Sequence, residues 1–220
     1  MNDYLNNLLL GYFPYIALAV FTAGVLYHLW ISNKTIQATS SQFLRGGKDM
    51  FWGSTLFHYA ILLVLAGHIF GLLTPEWLYS LVMTTETKRL LAIIMGTISG
   101  GVALVGITLL VLRRIGDARI RAISSFQDYF VAILLLVQIV LGLLCTYITA
   151  NAPVEHYLAL DYWAQGLVWF EPDAWKYIAD IHILYVLHIV NGFLIFILFP
   201  YTKLMHMLMV PVRYFFKPNK

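Results

Sequence analysis

The stretch FHYAILLVLAGHIFG, residues 57–71, places two histidines ten residues apart in a segment without a charged side chain. The uncharged run around it extends from Met50 to Pro75, which is longer than the about 20 residues that a helix needs to cross a bilayer. A neutral imidazole inside a membrane is a polar group that must find a partner. The segment therefore predicts a membrane-spanning helix in which His58 and His68 serve a polar function.

The composition extends this prediction to the whole chain. Of 220 residues, 60% are apolar and 11% are charged, whereas a soluble domain would carry about 25% charged residues. The mean hydropathy is +0.77. We expect an all-α integral membrane protein in which residues 1–220 form a single domain with five transmembrane helices. The other four charge-free runs are Tyr4 to Asn33, Leu90 to Leu112, Tyr129 to Val154 and Ile181 to Thr202.

The first run has no lysine or arginine before it and no evident cleavage site, so we expect a retained helix rather than a signal peptide. The single cysteine, Cys145, excludes an internal disulfide and any cysteine-ligated cluster or zinc site within this chain. Because Cys145 lies in an apolar run, we expect it to be a packing residue.

Basic residues are distributed unequally between the two sides that five helices define. Eleven of the fourteen collect on one side, and the positive-inside rule makes that side cytoplasmic. The N-terminus is then outside and the C-terminus is in the cytoplasm. The inner residues are Lys34, Arg45, Lys48, Arg113, Arg114, Arg119, Arg121, Lys203, Arg213, Lys217 and Lys220, and the outer ones are Lys88, Arg89 and Lys176.

The longest connection, Ala152 to Ala179, falls on the outer side and is rich in tyrosine and tryptophan. Aromatic residues of this kind favour the headgroup region of a membrane. We therefore expect part of this connection to form a short amphipathic helix at the membrane surface.

The orientation assigns a depth to each of four histidines. His68 and His188 lie toward the outer side, and His58 and His206 toward the inner side, so depth pairs them in this way. Two opposed imidazoles are a common way for a helical bundle to hold a six-coordinate haem iron. The pattern predicts a dihaem b-type cytochrome, with haems held between the second and fifth helices.

Two features bear on this pairing. The eighteen residues from His188 to His206 make five helical turns, which would put both on one face of the fifth helix, and a bend at Pro200 would absorb the unequal spacing of the pairs. Gly67, Gly71 and Gly192 lie near the histidines, where a missing side chain would let a flat macrocycle approach. The first two also match the small-xxx-small pattern of close helix packing.

Three histidines remain outside this constellation. His28 lies at the inner end of the first helix, His156 in the outer connection and His182 at the outer start of the fifth helix. We expect all three to be interfacial residues, although His182 is close in depth to His188.

Six motifs along the chain are distinctive: Phe57-His58, Gly67 to Trp77, Ser40-Ser41-Gln42, Phe199-Pro200, Leu204-Met205-His206 and Val210-Pro211-Val212. Together they resemble the gamma subunit of the respiratory membrane-bound nitrate reductase. The resemblance covers nearly the whole chain, and it implies that His58, His68, His188 and His206 are the four haem ligands.

The resemblance also implies a function. Quinol, either menaquinol or ubiquinol, is oxidised near the outer haem, and electrons pass through the inner haem to an iron-sulfur beta subunit and a molybdenum catalytic alpha subunit in the cytoplasm. The implied location is the cytoplasmic membrane, where the chain contacts lipid and the quinone pool but no nucleic acid. The sequence contains no cluster motif, nucleotide motif or soluble domain, so it must pass its electrons to partners.

For the quinol site the resemblance implies Lys88. A cation at a helix N-terminus opposes the macrodipole, which a functional role would explain, although snorkelling to the outer interface would explain it equally. At the inner side, Arg113 and Arg114 could pair with haem propionates, or they could simply reflect the positive-inside bias.

The sequence departs from the family pattern at Val186 and His28, where arginines are expected. Related alternatives are gamma-type subunits of other redox complexes, such as nitrite oxidoreductases or the sulfite-reduction and heterodisulfide-reductase cytochromes. An alternative of a different class is a haem-free transporter with a histidine relay. It lacks the interrupted helices and inverted repeats typical of secondary transporters.

Overall fold

The computed structural model describes residues 2–30 and 48–208, with side chains in the second stretch from residue 50 onward. These residues form helices joined by turns. In chain order the α-helices are α1 Asp3–Trp30, α2 Lys48–Leu73, α3 Glu76–Tyr79, α4 Thr85–Gly116, α5 Ala118–Ile123, α6 Phe126–Asn151, α7 Val154–Val168 and α8 Ile183–Leu198. Short 3₁₀ segments span Ala174–Ile178, Phe199–Tyr201 and Lys203–Met205.

Five helices, α1, α2, α4, α6 and α8, are long and apolar enough to cross a membrane. This agrees with the predicted all-α membrane fold and with the predicted number of spans. The helix α4 extends beyond its charge-free run at both ends, because Thr84 caps its N-terminus and helical structure continues to Gly116. Lys88 and Arg114 therefore lie within a helix rather than in the flanking loops.

The connection from Ala152 to Ala179 contains a helix, α7, where the sequence predicts a short amphipathic helix. Its tryptophan Trp163 donates a hydrogen bond from Nε1 to the Leu10 carbonyl at 2.9 Å, and Tyr15 donates to the Leu167 carbonyl at 3.0 Å. Leu10 belongs to a π-helical turn, Asn7–Tyr12, within α1. Such a turn changes the carbonyl directions of a helix, and here one of these carbonyls accepts the bond that ties α7 to α1.

The long helices pack in the order α2, α4, α6, α8 and α1. The closest contact is between α2 and α4, where a Cβ on Gly106 would lie 2.5 Å from the backbone nitrogen of Phe57. Within the described residues α2 and α8 are not extensively packed against each other, so their histidines meet through their side chains. We call the end of the bundle that carries α7 the α7 end, and the opposite one the Pro200 end.

The helix α8 ends at Leu198, and the chain continues through 3₁₀ turns that include Pro200. The predicted single helix carrying both His188 and His206 is therefore wrong. A proline ring removes a helical hydrogen bond and clashes with the preceding turn, and here the α-helix gives way to 3₁₀ turns and then to an extended Thr202, with φ −127° and ψ 174°. The change of direction brings His206 to the level of His58.

Some sequence predictions fall outside the described residues. Among the inner basic residues, Lys34, Arg45, Arg213, Lys217 and Lys220 lie there, as do the side chain of Lys48 and the motifs Ser40-Ser41-Gln42 and Val210-Pro211-Val212.

Candidate functional site: two facing histidine pairs

At the Pro200 end, the imidazoles of His58 and His206 face each other. Their ring centroids are 6.0 Å apart and their ring planes are inclined by 65°. His58 projects from α2, and His206 follows the 3₁₀ segment Lys203–Met205. Two residues separated by 148 positions in the chain are thus brought together by the turn after α8.

At the α7 end, His68 of α2 faces His188 of α8. The centroids of these rings are 5.9 Å apart, with an interplanar angle of 32°. Because His58 and His68 are ten residues apart on one helix, the two pairs are separated by about 15 Å along the axis of α2. The four histidines that the sequence singles out thus form two stacked pairs, His68 with His188 and His58 with His206.

Backbone carbonyls hold three of these rings in one tautomer. His58 Nδ1 lies 2.7 Å from the Ser54 carbonyl, His68 Nδ1 lies 2.8 Å from the Val64 carbonyl, and His206 Nδ1 contacts the Lys203 carbonyl. A carbonyl oxygen only accepts, so Nδ1 carries the proton and Nε2 keeps its lone pair. This is the usual arrangement of a metal-ligating histidine, in which the second ring nitrogen donates to a carbonyl.

The fourth ring, His188, is held differently. The amide nitrogen of Gln138 lies 3.4 Å from His188 Nε2, and Asn191 donates to Gln138 Oε1 at 2.8 Å, which orients that amide. The buried Nδ1 of His188 has no hydrogen-bond partner among the described residues. A Cβ on Gly142 would lie 3.1 Å from His188 Cε1, so α6 supports the ring closely. Sequence reasoning missed Gln138, Gly142 and Asn191, which only the packing of α6 on α8 reveals.

The separation of the paired rings leaves room for a metal ion between them. One nitrogen of each ring, at a metal–nitrogen distance of about 2 Å, would fit within the centroid separations of 6.0 and 5.9 Å. No group of three histidine, cysteine or acidic side chains suited to a metal occurs among the described residues. A pair of histidines is sufficient for haem, because the macrocycle supplies the equatorial ligands.

The glycines near the pairs differ in their surroundings. A Cβ on Gly67 or Gly71 would meet no atom within 4 Å, so neither glycine mediates close helix packing within the described residues. Their open side is compatible with a flat group beside His68. Gly192 is different, because its Cβ would lie 3.0 Å from the Gln138 amide nitrogen. In this structure the missing side chain of Gly192 leaves room for Gln138, which contacts His188.

Lys88 is buried at the α7 end, with 7% of its surface exposed. Its Nζ donates to Asp161 Oδ2 at 2.7 Å and to the Thr74 carbonyl at 3.4 Å, and it lies 4.2 Å from the centroid of the Tyr79 ring. A snorkelling lysine would extend its ammonium into water. The snorkelling interpretation of Lys88 is therefore wrong.

The partner of Lys88, Asp161 of α7, is almost fully buried, with 1% of its surface exposed. Burial raises the pKa of its carboxyl to about 6, while the hydrogen bond and the charge of Lys88 act in the opposite direction. Its second oxygen, Oδ1, and the hydroxyl of Tyr157 are buried without a partner among the described residues. No local pattern in the sequence distinguishes Asp161 from the other acidic residues of this connection.

The Pro200 end carries a second buried carboxylate, Asp128. Lys203 Nζ donates to its Oδ2 at 2.7 Å, and Arg114 Nη1 lies 3.6 Å from the same oxygen. Arg114 also donates to Ser124 Oγ at 2.9 Å. Arg114 and Lys203 thus anchor the segment before His206 to the start of α6, a packing role that positive charge at this end does not by itself predict.

The other histidines have local structural roles or surface positions. His182 is the N-cap of α8, and its Nδ1 accepts from the Leu184 amide at 3.2 Å. His156 lies exposed in α7, and His28 packs edge-on against Tyr27 near the end of α1. Val186, which replaces an expected arginine, is 5% exposed and belongs to the apolar cluster under α7. It makes no polar contact next to His188.

The fold and the site define a class: a multi-pass helical membrane protein with two histidine pairs, in which α2 faces α8 in one pair and the turns after α8 in the other. A family model described as nitrate reductase gamma subunit matches residues 6–220. The chain therefore belongs to the nitrate reductase gamma subunit family.

Individual relatives align with this chain over nearly their whole length. The chain is 36% identical over 216 residues to the respiratory nitrate reductase 2 gamma chain of Escherichia coli (strain K12), covering 98% of this chain and 95% of the relative. The respiratory nitrate reductase 1 gamma chain of the same organism is 37% identical over 213 residues, covering 96% and 94%. The nitrate reductase gamma chain of Bacillus subtilis (strain 168) is 34% identical over 211 residues, covering 95% and 94%.

Proposed function

We propose that this chain is the membrane anchor and electron-transfer subunit of a quinol-oxidising nitrate reductase. It would oxidise menaquinol or ubiquinol near one membrane face and deliver the electrons to an iron-sulfur beta subunit and a molybdenum alpha subunit on the other. The observation that carries this proposal is the presence of two facing histidine pairs, with centroids 6.0 and 5.9 Å apart, in a chain of this family.

Two haem b groups are the cofactors that the pairs would hold. His68 and His188 would ligate one iron, and His58 and His206 the other, with the Nε2 of His58, His68 and His206 left free by the hydrogen bonds at Nδ1. Haem iron supplies reversible one-electron chemistry at a potential that the axial ligands and their surroundings set. The carbonyls of Ser54, Val64 and Lys203 hold the rings in the ligating tautomer and raise their basicity.

The quinol site is proposed at the α7 end, beside Lys88. The ammonium is buried and points to Asp161 and the Thr74 carbonyl, six residues beyond His68 on the same chain segment. A quinol hydroxyl bound there would lie close to the His68–His188 pair. Lys88 would orient it, and the apolar cluster beneath α7 would exclude bulk water from the site.

The proposed orientation puts the α7 end outside and the Pro200 end in the cytoplasm, as one multi-pass domain over residues 1–220 in the cytoplasmic membrane. Support comes from Arg113, Arg114, Arg119 and Arg121, which lie where α4 ends and α5 begins, at the Pro200 end. That end is where the beta subunit would dock, because electrons leave the chain from the His58–His206 side.

A spectrum of the purified complex tests the proposal directly. A reduced-minus-oxidised difference spectrum and a pyridine haemochrome assay should find two b haems per chain, and adding a quinol such as menadiol should reduce them. A preparation with this chain intact but without haem would overturn the proposal. Two haems that menadiol does not reduce would leave a cytochrome but remove the quinol-oxidising role.

A further inference from the structure

One oxygen of the Asp161 carboxylate is buried and makes no hydrogen bond within the described residues. Oδ2 accepts from Lys88 at 2.7 Å, but Oδ1 has no partner in the part of the chain that the structure describes. The hydroxyl of Tyr157, one helical turn earlier on α7, is also buried without a hydrogen-bond partner among the described residues. Buried polar groups are nearly always hydrogen-bonded, so two such atoms on one helix face indicate a ligand with a hydroxyl or carbonyl oxygen.

The contacts of the Lys88 ammonium also support a ligand at Asp161. Its ammonium has three donors, and they face Asp161 Oδ2, the Thr74 carbonyl and the ring of Tyr79. The strongest contact of the lysine is therefore with the carboxylate, and the carboxylate still retains an accepting oxygen. A quinol hydroxyl needs an acceptor, because it must lose its proton when it is oxidised.

We propose that Asp161 is a catalytic residue of the quinol site, accepting the hydroxyl proton through Oδ1, and that Lys88 positions this carboxylate and keeps it charged. This inference rests on the proposed function and names a residue that it does not include. A quinol O–H bond breaks, its proton forms a carboxylic acid on Asp161, and one electron passes to the one-electron acceptor that the proposed function assigns to the His68–His188 pair. Release of that proton outward lets Asp161 accept the second one while the second electron leaves by the same route, so that the loss of two protons and two electrons converts the quinol to a quinone.

The surroundings suit a proton acceptor that works near neutral pH. Burial raises the pKa of the Asp161 carboxyl to about 6, and a base is most effective when its pKa is near the working pH. The titratable groups around it are Lys88 from α4, Tyr79 from α3, and Tyr157 and Tyr162 on α7. Tyr162 donates an exposed hydrogen bond to Glu76 at 2.8 Å.

The test uses the whole complex with three variants. Asp161→Asn keeps the shape of the side chain but cannot accept a proton, Lys88→Gln removes only the positioning charge, and Asp173→Asn is the matched control. Asp173 also pairs with a lysine at the α7 end, Lys176, at 3.0 Å, but this pair is exposed. Haem spectra are recorded first, so that a loss of haem is distinguished from a loss of proton acceptance.

We expect the rate of menadiol-driven haem reduction to rise with pH through about 6 in the wild type and in Asp173→Asn, because the carboxylate is the accepting form. Asp161→Asn should be slower by about 100-fold, the contribution typical of a general base, at every pH. Lys88→Gln should regain rate at alkaline pH, because losing the nearby cation raises the pKa of Asp161.

Binding of heptyl-hydroxyquinoline N-oxide, a redox-inert quinol analogue, gives a readout that is independent of turnover. Its fluorescence should be quenched by the Asp161→Asn variant to the same extent as by wild type, because the substituted amide retains an oxygen acceptor. Infrared difference spectra on adding menadiol should show a carboxylic acid band that Asp161→Asn lacks and Asp173→Asn keeps.

Wild-type rates and pH dependence in Asp161→Asn would overturn the inference and leave Asp161 a structural partner of Lys88, with the proposed function intact. If Asp161→Asn fails to assemble, the double variant Lys88→Gln/Asp161→Asn removes both charges and leaves none unpaired. The double variant has no carboxylate at position 161. If its rate of haem reduction nevertheless rose at alkaline pH, as expected for Lys88→Gln alone, Asp161 would not be the proton acceptor and the inference would be overturned.

Discussion

The four paired histidines differ in the contacts that fix the orientation of their rings. Three imidazoles donate from Nδ1 to a carbonyl of the preceding turn, so each is aimed by its own segment. His188 relies on another helix, because Gln138 and Gly142 of α6 set its position. A change in α6 can therefore disturb the His68–His188 pair without touching either ligand.

Replacing the four histidines singly should reveal the pairing. His68→Ala and His188→Ala should each remove the same haem, and His58→Ala and His206→Ala the other, because a b haem with one axial imidazole is held weakly. Redox-potentiometric optical spectra of the purified complex distinguish the two haems. His182→Ala is the control, since that ring only caps α8. Loss of the same haem in His58→Ala and in His188→Ala would contradict the assignment.

Lys88→Ala should abolish quinol oxidation at neutral pH while leaving both haem spectra intact. The loss of a hydrogen bond to a charged group is worth about 1.5 to 3 kcal/mol, which corresponds to about a ten- to hundred-fold weaker binding of a quinol analogue. Titration with heptyl-hydroxyquinoline N-oxide measures this effect. The control is Lys176→Ala, which removes an exposed outer lysine. Unchanged binding and turnover in Lys88→Ala would remove the lysine from the site.

Among the helices, the contact between α2 and α4 is the one on which the geometry of the Pro200-end pair depends. Gly106 of α4 lies against the backbone of Phe57, the residue before His58. Backbone approach this close requires the absence of a side chain, and the apolar cluster of Phe57, Ala60, Ala103 and Ile107 fills the remaining interface. The position of His58 is therefore set by a residue on another helix.

Gly106→Ala should push α2 away from α4 and impair the pair His58–His206 more than the pair His68–His188. A Cβ 2.5 Å from the Phe57 backbone nitrogen cannot be accommodated without movement, and overpacking of this kind costs about 1 to 3 kcal/mol. The measurement is the ratio of the two haems in the purified variant. Gly101→Ala on the same helix is the control, because its Cβ meets nothing within 4 Å. Equal haem loss in both variants would contradict this account.

For the whole molecule, the positions of the quinol site and the electron exit along the membrane normal determine whether turnover moves charge across the membrane. The proposed quinol site lies at the α7 end, and the proposed electron exit lies at the Pro200 end. Oxidation would leave protons outside while electrons cross inward, so each turnover would move charge across the membrane. Against a potential of 100 mV this work is about 2.3 kcal/mol per electron.

Proteoliposomes that contain the whole complex should build a potential, negative on the side of the catalytic subunit, when quinol and nitrate are supplied. A potential-sensitive dye measures it, and an uncoupler should collapse the potential and speed turnover. Asp161→Asn liposomes serve as the comparison, with a smaller initial rate of charging. Turnover without a potential would put the quinol site at the Pro200 end and remove the proposed roles of Lys88 and Asp161 together.

Local sequence was enough to predict the features that depend on one segment at a time. Charge-free runs predicted five apolar helices, because a charged side chain is unfavourable in lipid wherever it occurs and each spanning segment must therefore lack charge by itself. Helix rise accounts for the spacing of His58 and His68 on one helix, whereas His206 faces His58 because of the turns after α8. The end of α8 at Leu198 was not predicted, because the sequence analysis placed a bend at Pro200 within a continuous helix.

The tertiary structure alone decided which distant groups meet. Lys88 and Asp161 are 73 residues apart, and nothing near either one predicts a 2.7 Å ion pair between them. The same is true of Gln138 and His188, and of Gly106 and Phe57. Charge and hydropathy patterns report the environment of a segment in the membrane. The contacts of a buried polar side chain depend instead on how whole helices pack, and that is determined by the sum of many interfaces.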